Sequence, residues 1–166
     1  MGERILTTLR LDGVPVADYV DGSQLDPELS PRPYLHPGGL FWRLPPAREP
    51  HVSTATAEGE HAVHNSIAPW LAWADRTSDF TLAFTGADEA SRADPWFVRV
   101  ANYPGVGSQL AARDPVTLAP GDAAMRGLRV LVADGLLDEE TVQTWATAAN
   151  GDPVTRPPDD AVHHPT

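Results

Sequence analysis

Between residues 80 and 85 the chain alternates: Phe80, Leu82 and Phe84 fall on one side, Thr81, Ala83 and Thr85 on the other. A period of two is the mark of a strand with a buried face. The same phase recurs at 96–101, where Trp96, Val98 and Val100 point one way and Phe97, Arg99 and Ala101 the other. Aromatics on both faces suit a strand inside a sandwich. Short apolar stretches of this kind predict strands at 4–11, 14–20, 32–37, 39–45, 68–74, 79–86, 95–103, 115–120 and 125–134. Seventeen prolines separate them, which suits strands and disfavours long helices. One segment has helical spacing instead. Asp138 is placed to cap it, Glu139 and Glu140 supply acids to its first turn, and Asn150-Gly151 ends it. Val142, Trp145, Ala146 and Ala149 form its single apolar stripe. The expectation is an antiparallel β-sandwich with one C-terminal helix, as a single domain over 1–150, with a disordered tail over 151–166.

Composition narrows the function classes. The 166 residues suffice for one packed core, and 42% of them are hydrophobic, too many for a disordered chain. The net charge is −11, and all 12 basic residues are arginine. An acidic chain without a basic stripe is a poor nucleic-acid binder. Lack of lysine removes Schiff-base chemistry, and lack of cysteine removes disulfides and thiolate metal sites. No apolar run reaches the ~18 residues of a membrane span, and the charged N-terminus does not read as a signal peptide. A cytoplasmic bacterial protein, with neither nucleic-acid nor membrane partners, is the expectation.

Several motifs occur in a familiar order. Over 94–140 these are Pro95-Trp96-Phe97-Val98-Arg99, the turn Tyr103-Pro104-Gly105-Val106, and Leu118-Ala119-Pro120-Gly121 before a strand ending in Ala133-Asp134-Gly135. With 16–37 and 65–84 they resemble a largely uncharacterised bacterial family catalogued as PmoA-like. That label denotes a methane oxygenase, whose membrane subunit this chain does not match for want of a spanning segment. Members of the family are often encoded near sugar-catabolism genes, and some are named oxidoreductases. The resemblance therefore implies a carbohydrate-associated role with a sugar or sugar-acid ligand. Alternatives are a non-catalytic binding or structural module, and an accessory protein to an oxidoreductase; whether the chain is an enzyme is left open. With no Gly-x-Gly-x-x-Gly after a strand, no dinucleotide cofactor is expected, nor any other.

One departure stands out. In the family, the segment matching 32–37 leads into a long central section with a His-rich motif, whereas here Pro37 runs directly into Gly38-Gly39. The chain reads as a shortened member with an internal deletion near 37–39. It is an incomplete supersandwich on that reading, inactive if the lost histidines did the chemistry. Losing strands would expose sheet edges, so marginal stability or self-association is expected.

Candidate chemistry is sparse. Arg32, Tyr34 and His36 alternate on one predicted strand face, where an arginine, a phenol and an imidazole could hold a sugar and supply acid–base catalysis. Arg99, Trp96 and Tyr103 are the candidate ligand-binding residues. The plainer reading of Arg99 is a salt bridge to Asp94 or Asp134. Trp42, Trp70, Trp73 and Trp96 could offer sugar platforms, but buried aromatics are commoner. Trp70 and Trp73 lie an odd number of residues apart, so if one is core the other is the better platform. His61 and His64 lack the His-Glu-x-x-His order, and Gly59 and Pro69 oppose the helix it needs. They read as solvated loop residues, and no metal is expected. His51 carries no pattern, and His163-His164 fall in the tail.

Overall fold

The computed structural model describes residues 3–12, 18–19, 39–113, 116–117 and 123–151. In chain order the elements are β1 (Glu3–Asp12), β2 (Asp18–Tyr19), β3 (Phe41–Arg43), β4 (Pro50–Thr54), α1 (Glu60–Val63), β5 (Leu71–Asp75), β6 (Phe80–Gly86), α2 (Glu89–Ala93), β7 (Trp96–Arg99), β8 (Gly105–Ser108), β9 (Val116–Thr117), β10 (Ala123–Asp134) and α3 (Glu139–Gly151). The strands form a five-stranded sheet of order β1-β10-β6-β5-β4, a three-stranded sheet of order β3-β8-β7, and a small β2-β9 pair. Every pairing between these strands is antiparallel. The fold is mainly β, an antiparallel sandwich with a C-terminal helix, as the alternation predicts.

Side-chain size decides which face of the large sheet meets what. On β5 and β6, Leu71 lies opposite Phe84 and Trp73 opposite Leu82. These four pack with Val52, Leu128 and Val130 against Trp96, Val98 and Val106 of the smaller sheet. Burying each large side chain stabilises the fold by roughly 1.5–3 kcal/mol. The alternate positions are small: Ala72 lies opposite Ala83, and both pack under α3 through Val142, Trp145, Ala146 and Ala149. The predicted helix stripe is therefore the one that docks. Asp138 caps the helix by accepting from the Thr141 N–H at 2.7 Å.

Four elements lie outside the sequence expectation. α1 and α2 are single turns. β4 is an alternating strand hidden in a proline-rich stretch, and β8 is built from glycine and small residues, which carry little strand propensity. The strand predicted over 95–103 stops at Arg99, because the chain turns at Asn102 with a left-handed φ of 62° before Pro104. The strand predicted at 32–37, the junction from Pro37 to Gly38 and residues 152–166 of the tail lie outside the described residues.

The edge of the large sheet at β4 is closed by its own loop. The Gly59 N–H donates to Val52 O, and the Thr54 N–H to Ala57 O, each at 2.8 Å. In the smaller sheet, β8 runs between two strands with no room for side chains on its outer face. The Phe41 ring lies over Gly105, and a Cβ on Gly107 would meet the carbonyl oxygen of Leu40. Gly107→Ala is accordingly expected to cost about 1–3 kcal/mol, read as a lowered melting temperature. An unchanged melting temperature would show that β3 and β8 are not in such close contact.

Candidate functional site

A cavity lies where α3 stops short. The helix covers Ala72 and Ala83 but begins only at Glu139, so the outer face of β4 and β5 is left open beside it. The result is a cleft of about 580 Å³. That volume is typical of small-molecule sites. Its floor is the small-residue face of the sheet, with Ser53, Ala72 and Ala74 among the lining residues. One wall is the start of α3 with Leu136 and Leu137 before it, and the other is the Ala55–Glu58 turn. At the rim, His51 Nδ1 lies 3.4 Å from Glu58 Oε1.

Two polar side chains on this face are already engaged. The Thr81 hydroxyl donates to Gly135 O at 2.8 Å and accepts from the Leu137 N–H at 3.0 Å, tying the loop before α3 to the sheet. The indole N–H of Trp70 donates to Gln143 Oε1 at 2.7 Å. Trp70 is 1% exposed in the helix-side core and Trp73 is fully buried between the sheets. Their odd spacing does send them to opposite faces, and Trp70 borders the cleft, but both side chains are buried. Neither is a platform.

The sequence-derived ligand residues separate. Trp96 is 3% exposed and donates its indole N–H to Ala68 O at 3.0 Å, which makes it part of the inter-sheet core. Tyr103 is 40% exposed, but its ring stacks on Phe41 at 5.4 Å and carries the Arg43 guanidinium at 4.1 Å. Arg99 pairs with Glu60 at 3.3 Å, and with neither Asp94 nor Asp134 as expected from the sequence. Asp94 is instead bound by Arg126 Nε at 2.7 Å, while burial pushes its carboxyl up from the usual range. Arg32, Tyr34 and His36 lie outside the described residues.

Around Arg99 the geometry is that of a strand cap. β7 is an edge strand, and its outward N–H groups need acceptors. The Val98 N–H donates to His64 Nδ1 at 3.2 Å, and the Val100 N–H to Glu60 Oε2 at 2.8 Å. The Trp96 N–H donates to Ser66 O at 2.8 Å. His64 and Glu60 thus occupy the place a further strand would take, and of the solvated-loop expectation only the exposure of His61 agrees, since His61 lies on the helical turn α1. One turn of helix, which Gly59 and Pro69 do not prevent, aims both side chains at β7. The hollow they form with His61 and Arg99 is only about 190 Å³. Among the described residues no group of three or more His, Asp or Glu is placed to hold a metal ion.

The cap implies a pH dependence. His64 can accept at Nδ1 only while neutral, and burial, then the Arg99 charge, hold its pKa below 6.5, against an opposing pull from Glu60. The unfolded chain therefore takes up the proton first. Stability is full above the ordinary imidazole range and is lost as pH falls through 6.5 toward the folded value. His64→Gln, which keeps an acceptor that does not titrate, is expected to flatten the fall in melting temperature between pH 7 and 5.5. His64→Ala costs about 1 kcal/mol at pH 7. A wild-type curve as flat as that of the Gln variant would refute the capping role.

A protein-family model described as a family of unknown function (DUF6807) matches residues 38–147. The match runs from just before β3 into α3, taking in the cleft and the capped edge and leaving β1 and β2 outside. No curated protein and no solved structure matches the chain. Since the match spans 110 of 166 residues, about two thirds of the chain, this protein belongs to the DUF6807 family.

Proposed function

We propose that the protein is a carbohydrate-associated binding protein that holds a sugar-sized ligand in the cleft beside α3. The cleft carries this reading. Its volume suits one or two sugar rings, and its lining mixes apolar floor residues with Ser53, Thr56, His51 and Glu58. Hydroxyl-rich ligands need that mixture: polar partners for their O–H groups, and apolar surface for their C–H faces. The resemblance of the motifs around 95–106 and 118–135 to PmoA-like proteins, whose genes often neighbour those of sugar catabolism, points the same way.

Binding without turnover fits the site residues better than catalysis does. The imidazole of His64 is committed to a backbone N–H, and Arg99 is committed to Glu60. Within the cleft, Thr81 is engaged at both ends of its hydroxyl. A shortened PmoA-like chain that has lost its His-rich section would retain just such a binding surface.

A thermal-shift series with monosaccharides, amino sugars and sugar acids tests the proposal. Ligand at about 100 times its Kd adds roughly 2.7 kcal/mol to stability, a clear rise in melting temperature. Ala74→Leu, which places an isobutyl group on the cleft floor, is expected to abolish that rise while leaving cooperative unfolding intact. If no sugar of any class raises the melting temperature, the carbohydrate reading fails. Consumption of a sugar by the purified protein would overturn binding without turnover.

A further inference from the structure

The charges around the cleft say which sugars it takes. Among the described residues, Glu58, Asp138 and Glu139 line it, against the one permanent cation Arg76. His51 adds positive charge only when protonated, and its Nδ1 already faces Glu58 at 3.4 Å. The start of α3 opens onto the same cavity, and a helix N-terminus ordinarily attracts anions. Here that attraction is spent inside the chain. The Asp138 carboxylate takes the Thr141 N–H at 2.7 Å, the Asp138 carbonyl takes the Val142 N–H at 3.1 Å, and Glu139 and Glu140 occupy the first turn. The two bonds to Thr141, through its side chain and its N–H, hold the Asp138 carboxyl below the usual carboxylate range, so it stays charged in any neutral buffer. A chain with a net charge of −11 adds a repulsive background for any anion approaching from solution.

We infer that the cleft selects neutral and amine-bearing sugars and rejects sugar acids. This rests on the carbohydrate reading and sharpens it: the three carboxylates set the sign of the site. A hexose hydroxyl can donate to Glu58 or Glu139, and a protonated 2-amino group gains charge attraction as well. A uronate carboxylate instead meets like charges among the residues that line the cleft. The hollow at Arg99 offers sugar acids no refuge, because Glu60 already neutralises its arginine.

Calorimetric titration of the full chain with glucosamine, glucose and glucuronate at low ionic strength measures the selectivity. The expected order of affinity is glucosamine, then glucose, then glucuronate, with about tenfold or more between the first and last. About 0.5 M salt should narrow that gap, because screening shortens the reach of the carboxylates. The Glu58→Gln/Glu139→Gln double variant should narrow it too, with glucosamine affinity falling and glucuronate affinity rising; Asp138 is left in place because the helix cap depends on it. Glucuronate binding as tightly as glucose would overturn the selectivity while leaving the carbohydrate reading intact. Failure of all three to bind would remove both. Binding of glucose and glucosamine that Ala74→Leu leaves unchanged would place the ligand elsewhere and overturn the assignment to the cleft.

Discussion

The structure depends on a difference in side-chain size along two neighbouring strands. On β5 and β6 the inward positions are Leu71, Trp73, Leu82 and Phe84, while the outward ones between them include Ala72 and Ala83, which lie opposite each other. Large residues inward fill the space between two sheets about 10 Å apart. Small residues outward let a helix lie close, and where the helix ends they leave a hollow. Sandwich, helix seat and cleft are three results of one alternation. Its register cannot slip by a residue, since that would put tryptophan under the helix and alanine in the core.

The smaller sheet solves a different problem. It has three strands, and its central strand gives up side chains at Gly105 and Gly107 so that β3 can approach and the Phe41 ring can lie across it. Phe41 and Phe97 flank this trough and meet edge to face at 5.5 Å. Tyr103 and Arg43 continue the stack outward from Phe41. The aromatics expected at the ligand site therefore hold the outer face together, or, like Trp96, sit in the core beneath it.

The sequence showed the parts of this fold that repeat at a fixed period. Strands β6 and β10 and helix α3 are strongly patterned, and their faces point as the pattern requires. The same phase placed Arg99 on the outer face of β7. What the pattern could not show was partnership across the chain. For Arg99 the alternation offers Asp94 or Asp134 as the acid, but the partner, Glu60, lies 39 residues away on a single helical turn. His51 carried no motif because its meaning comes from a cavity that exists only once α3 has docked. β8 was hidden for the opposite reason: its glycines are what the packing needs and what strand propensity penalises.

Glu60 and His64 also bear on how the molecule meets copies of itself. Strands recognise one another through alternating donors and acceptors, and an open edge is legible to any extended peptide. At β7 the donors are read by a carboxylate and an imidazole, and one carbonyl, that of Val98, receives an N–H from Arg99 at 3.3 Å. An approaching strand would find this row already answered, partly by ionic groups that it could displace only by stripping them of both partner and solvent. The edge is thus masked rather than absent, and the mask is carried by four residues of helix, the histidine that follows them and the Ser66 carbonyl.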